Sequence, residues 1–270
     1  MWFYLAQELS PPNSLGYALD CTAMCHQLRR EPRETQGLAE ATIKLGIEHG
    51  FPYWETQGTI LRGAALAEQG REEEGLTQMR QGLTAHWAIG GRILEQYWLA
   101  LQVEAYRKIG RIEEAFDVLT EALAVAEKNG ECFWEAELYR LKGELLLAQK
   151  SEEQGAWSKE RRVRSKERGV GSKEQEAEMQ THPRSLVPDF QDEVEGCFLK
   201  AIEIARNQQA KSLELRATMS LARLWQQQGK HAEAHTVLCV VYNWFTEGFD
   251  TKDLQESKAL LDDLMSVRGR

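Results

Sequence analysis

The residue types able to do chemistry are spread thinly along this chain. Cys21 and Cys25 stand at i, i+4 spacing with His26 beside them, and His231 and His235 form a second such pair. On a helix each pair would share one face, but a zinc site takes three or four ligands and neither face supplies them. Forty residues beyond Cys21, Cys25 and His26 stand Leu61, Ala65 and Leu66, so apolar packing accounts for the cysteines. The five cysteines, Cys21, Cys25, Cys132, Cys197 and Cys239, are odd in number and lie in apolar helical patterns, the usage expected of buried free thiols. No Gly-rich loop precedes a Lys-Ser or Lys-Thr pair, so there is no ready cradle for nucleotide phosphates. Glu72 to Glu74, and Glu113 with Glu114, open helical stretches, where carboxylates favour the positive end of the helix dipole. The expectation is a chain with no catalytic residue, no cofactor and no metal ligand.

A second set of residues recurs with a period. Tyr17, Gln57, Tyr97 and Glu137 stand 40 residues apart, as do Asp20, Ile60, Ala100 and Arg140, and Arg216 and Met219 continue the two rows. Positions 2, 5, 9 and 12 of a helix share a face, which in a helical solenoid lines the concave groove. Arg107 and Arg223 join that face. Aromatic and Arg side chains carry much of the energy at protein interfaces, so the candidate binding residues are Tyr17, Tyr97, Arg107, Glu137, Arg140, Arg216 and Arg223. Such a groove suits an extended peptide or a helix.

The elements that would position these residues are legible in the glycines. Gly50, Gly90 and Gly130 are spaced by 40, and so are Gly70 and Gly110. A fixed spacing in this range signals a solenoid. Between successive glycines lie amphipathic stretches long enough for about five helical turns, and glycine is the natural residue just past a helix end. Each unit is therefore read as a helical hairpin. Ala23, Gly63, Val103, Gly143 and Ala222 form a column of small residues in the first helix. Thr35, Gly75, Ala115, Val194 and Ala234, with Thr42, Gly82, Ala122, Ala201 and Val241, form two more in the second. Small side chains let helix axes approach, while Ile43, Leu83, Leu123, Ile202 and Tyr242 supply apolar area between hairpins.

Composition agrees. Apolar residues make up 42% and charged residues 28% of 270, with only 6 prolines, which permits long helices throughout. A net charge of −9 repels a phosphate backbone and disfavours nucleic acid as a partner. No apolar run approaches the roughly 20 residues that span a bilayer, and Met1-Trp-Phe-Tyr-Leu5 lacks the basic start of a signal peptide, so the expected location is cytoplasmic.

The columns resemble the tetratricopeptide repeat, which has a small residue in mid-helix A, Gly at the turn and Ala twice in helix B. The unit from Ala100 to Leu123 matches best; the 40-residue period and Val103 depart from the usual pattern. The longer period is similar to that in the helical domain of the bacterial maltose-regulon activator. Phe51-Pro-Tyr-Trp54, Gly63 to Gly70, Trp134 to Ala148, Ser212 to Ala217, Leu221 to Gly229 and Trp244 to Glu256 resemble the C-terminal repeats of large bacterial proteins with an adenylate or guanylate cyclase or signalling-ATPase region. That resemblance implies a protein-interaction and regulatory scaffold at the C-terminal end of such a protein. Its alternatives are a small-effector sensor and a truncated remnant without function.

The period breaks once. Gly143 and Ala222 stand 79 apart, and between them Gly155-Ala-Trp-Ser-Lys-Glu-Arg161, Arg162-Val-Arg-Ser-Lys-Glu-Arg168 and Gly169-Val-Gly-Ser-Lys-Glu-Gln175 are tandem copies of a seven-residue unit. With no apolar stripe to offset its ordering entropy, 150–188 is read as a largely disordered low-complexity insertion, with a fractured or frayed helix as the alternative, dividing hairpins over 1–149 from hairpins and a capping helix over 189–270. Its run Lys159–Arg168 carries six basic and two acidic residues, a solvated loop rather than a nucleic-acid platform. Trp2 to Leu9 reads as the tail of a second helix whose first is missing, which suggests a fragment with an open N-terminal end available for self-association. The expected fold is all-α, a right-handed superhelical solenoid of antiparallel hairpins. Its expected partner is a protein or peptide, with no membrane.

Overall fold

In the computed structural model, residues 11–130, 132–168 and 188–268 are described. Among them the structure is helical, with no strand. The helices are α1 (Pro12–Leu28), α2 (Pro32–His49), α3 (Pro52–Glu68), α4 (Glu72–Ala88), α5 (Glu95–Lys108), α6 (Ile112–Asn129), α7 (Glu135–Arg168), α8 (Pro188–Asn207), α9 (Lys211–Gln227), α10 (His231–Tyr242) and α11 (Lys252–Arg268). They pair as five antiparallel hairpins, α1–α2 through α9–α10, followed by α11, and the first helices of successive hairpins also touch one another.

Local chemistry starts and stops these helices. Pro12, Pro32 and Pro52 occupy the first turn of α1, α2 and α3, where the missing N–H would be unpaired anyway. Past the ends of α3 and α5, Gly70 and Gly110 take φ of 87° and 76°. The following N–H reaches back to the last turn, Arg71 to the Leu66 carbonyl and Arg111 to the Tyr106 carbonyl, both at 3.0 Å. In the first hairpin the same turn is built on Arg30, a non-glycine at φ 61°, with Glu31 N–H donating to the His26 carbonyl at 3.0 Å.

The small-residue columns are the helix crossings. Ala23, Val103 and Ala222 are fully buried, as are Thr35, Ala115, Val194 and Ala234. A Cβ on Gly63 would stand 2.6 Å from the Gly75 carbonyl oxygen and 2.8 Å from the Met79 nitrogen, so α3 and α4 cross backbone to backbone. One apolar cluster runs from Ala23 to Leu145, holding Tyr97 and Trp98 at its centre. Phe116 links it to a second cluster around Phe198, and Trp225 links that one to a third under α11, where Leu254, Leu260, Leu261 and Leu264 are buried. The core is thus continuous along the array.

Two expectations need correction. The insertion read over 150–188 does not begin at 150: α7 continues as helix to Arg168, while 169–187 lie outside the described residues. Helix propagation from an anchored segment needs no new nucleation, and Glu, Gln, Lys and Arg are good helix formers even with nothing to bury. The cysteines are all free but not all buried, since Cys25 and Cys132 are exposed. Cys25 shares a column with the buried Ala65, Ala105 and Leu145, but among the described residues α1 packs chiefly against α2 and α3. Trp2 to Leu9, the expected open end, also lies outside the described residues.

Candidate functional site

The first helix of every hairpin faces inward. Together with α11 these helices surround a chamber of about 450 Å³. Its wall is charged: Arg30, Arg107, Lys108, Arg140, Arg216, Arg223 and Lys252 against Glu68, Glu104, Glu137, Glu144, Asp253 and Glu256.

The deepest part is an ion-pair network on α7 and α9. Arg140 grips Glu137 with two parallel N–H donors, Nε at 2.9 Å and Nη2 at 2.8 Å, and its Nη1 lies 3.6 Å from Glu144. Glu144 in turn accepts from the Ser220 hydroxyl at 2.7 Å. Arg216 Nη1 sits 3.7 Å from Glu137, its Nε donates to Asp253 at 2.7 Å, and its Nη2 donates to the Leu28 carbonyl at 2.9 Å. Burial pushes the Glu137 carboxyl up, but Arg140, Arg216 and Arg30 outweigh it and hold the group below its ordinary pKa. The Arg140 charge, disfavoured by burial, is held by Glu137, Glu104 and Glu144. On α5, Arg107 pairs with Glu104 through Nε at 3.0 Å and Nη2 at 2.7 Å. Glu68 has only a long contact from Gln27, 3.4 Å, and burial raises its pKa against the pull of Lys108, Arg30 and Arg216.

The chamber is closed where the ends of the array meet. Arg29 donates to Asp250 at 2.8 Å. Arg30 donates through one nitrogen to Asp253 at 3.2 Å and to Glu256 at 3.0 Å, and Arg223 reaches Glu256 at 3.3 Å. This seam joins the first turn of the array to α9 and α11.

Of the seven residues expected to line a groove, Arg107, Glu137, Arg140, Arg216 and Arg223 converge on the chamber. Tyr97 does not: it is fully buried, edge-on to Trp134 at 5.2 Å, with its hydroxyl donating to Gln27 at 2.7 Å. Its ring fills the space between inward helices. Tyr17 is 64% exposed and stands edge-on to Trp54, outside the chamber. Arg30, Glu68, Glu104, Lys108, Asp253 and Glu256 were not anticipated. A signal existed: Ala64, Glu104 and Glu144 form one column and Glu68 and Lys108 another, both next to columns already read. Among the described residues, no three or more His, Cys, Asp and Glu side chains are arranged to hold a metal ion, and no helix is long and apolar enough to cross a membrane.

Taken together, the hairpins, their 40-residue period and the small-residue crossings define the class: an all-α solenoid of tetratricopeptide-like helical hairpins. No protein-family model and no curated protein matches the chain. Among solved structures it is similar to the nearly identical TPR-like repeats of a putative kinesin light chain from Podosopora anserina, with 15% identity, coverage of 86% of this chain and 95% of that one, and a TM-score of 0.47. A second structure, of a single-substitution variant of those repeats, gives 14% identity, 85% and 93% coverage, and a TM-score of 0.49. At these values the likeness carries no argument about function, and the class rests on the helices and columns described above.

Proposed function

We propose that the chain is a binding and regulatory scaffold that captures its partner on the inward face. The observation that carries this reading is the convergence of charged side chains from five helices and the turn after α1 on one chamber, whereas the apolar and small-residue columns already account for the fold. The finer reading is the C-terminal sensor or interaction region of a bacterial signalling ATPase or nucleotide cyclase, with a protein segment as partner; it is supported by the sequence resemblance alone. The test is Arg107→Glu combined with Arg223→Glu, two chamber cations whose carboxylate partners are only half-buried. Retained helicity and melting temperature with lost partner capture is the expected result; an unchanged capture profile would refute the inward face as the binding surface.

A second reading is favoured by the seam. It draws charged groups from both ends of the array round a cavity of about 450 Å³, a size that suits a small effector.

A further inference from the structure

The wall of the chamber sorts into two kinds of cation. Arg140 and Arg216 are consumed: each spends its nitrogens on buried carboxylates or, for Arg216, also on the Leu28 carbonyl. Arg30 is spent on the seam, through one nitrogen to Asp253 and Glu256; the remaining four are not consumed. Lys108 and Lys252 line the chamber and make no hydrogen bond or ion pair among the described residues. Arg107 engages Glu104 through Nε and Nη2 and has Nη1 to spare, and Arg223 makes one contact at 3.3 Å.

Two features set the sign of the ligand. Seven cations face six carboxylates in a chain whose net charge is −9, so the cavity wall carries a small positive excess against the acidic balance of the whole. One of the six, Glu68, has its charged form disfavoured by burial, which tips the balance further. Guanidinium forks and ammonium groups around a concave space recognise carboxylates and phosphates. The volume falls within the roughly 300–1,000 Å³ of small-ligand sites.

We propose that the chamber binds a small multivalent anion, a polycarboxylate or phosphate ester, on Arg107, Lys108, Arg223 and Lys252. This rests on the reading of the inward face as the binding surface, and it names the ligand class. The anion completes the pairing of the four cations; the Glu137–Arg140–Arg216 network behind them stays intact.

The test is calorimetric titration of the full chain with citrate and with pyrophosphate at constant ionic strength, with melting temperature as second readout and sodium chloride as control. One anion or both binds with 1:1 stoichiometry and raises the melting temperature; the tighter of the two identifies carboxylate or phosphate as the recognised group. Lys108→Gln combined with Lys252→Gln, both at exposed side chains, weakens binding about tenfold or more, the scale of a lost charge-assisted hydrogen bond. Lys44→Gln, on the outer face beside Glu48, leaves affinity unchanged. The proposal is overturned if neither anion binds beyond the chloride control, or if the Lys108/Lys252 variant binds as tightly as the Lys44 variant. Loss of partner capture on Arg107/Arg223 reversal, with neither anion bound, would leave the scaffold reading standing and remove this one.

Discussion

Replacing Arg140 by Met separates the structural half of the inward face from the half available for binding. The guanidinium and its carboxylate partner are among the most sheltered charges of the chamber, with side chains 15% and 8% exposed. Arg140→Met leaves Glu137 with only Arg216, at 3.7 Å. Stranding one member of a buried pair is worth about 3–5 kcal/mol of stability. With a urea slope near 3 kcal/mol/M, that moves the unfolding midpoint down by about 1–1.7 M. Arg107→Met breaks a pair of similar geometry whose side chains are 30% and 31% exposed, for which about 1 kcal/mol or less is expected. Removing Glu137 as well, by Glu137→Leu in the Arg140→Met background, recovers most of the loss, because no carboxylate is then left stranded. The assay is urea unfolding followed by helical circular dichroism. Equal midpoints for the Arg140→Met and Arg107→Met variants would refute the division, and Arg140 would then rejoin the binding residues.

Asp20 carries a pH prediction. It is 4% exposed, one carboxylate oxygen has no hydrogen-bond partner, and burial raises its pKa from 3.8 to about 7. Between those values the folded chain holds a proton that the unfolded chain has released, so this group's contribution is full below about pH 4 and lost as the pH rises to about 7. Asp20→Asn therefore stabilises at pH 8, by an amount on the order of 4 kcal/mol, and by less at pH 5. Urea melts at both pH values check this, and an equal gain at both would contradict it. Arg30 carries a second prediction: its left-handed backbone makes Arg30→Gly more stable than Arg30→Ala by about 1 kcal/mol, although both lose the same ion pairs. Equal melting temperatures would show that the turn is unstrained.

The repeat was legible because its causes are local. Glycine at each turn and a small residue at each crossing are needed by every unit in turn, so Ala23, Gly63, Val103, Gly143 and Ala222 could be aligned without coordinates. The same logic brought Arg107, Glu137, Arg140, Arg216 and Arg223 to one face. It failed at Tyr97 because helical phase alone does not say how far neighbouring inward helices are apart, and here they close on the ring. It failed at the seam for a different reason. Arg29 and Asp250, or Arg30 and Glu256, meet only through the rotation accumulated over five hairpins, and no periodicity records that sum. Over 150–168 a missing apolar stripe argues against burial, not against helix, so the sequence leaves a frayed helix open there beside a disordered loop.

The chamber exists only if the first turn of the array meets α9 and α11, so the most direct measurement is the distance across that seam in solution. Spin labels on cysteines placed at Arg33 and Gln255, both exposed, in a background without the five native cysteines, report it by pulsed dipolar spectroscopy. The account predicts one narrow, short distance in low-salt buffer, lengthened by Arg30→Glu, which sets like charges against Asp253 and Glu256. A broad distribution centred at long distance in the unmodified seam would mean that the array stands open, and the charged site between its ends would fall with it.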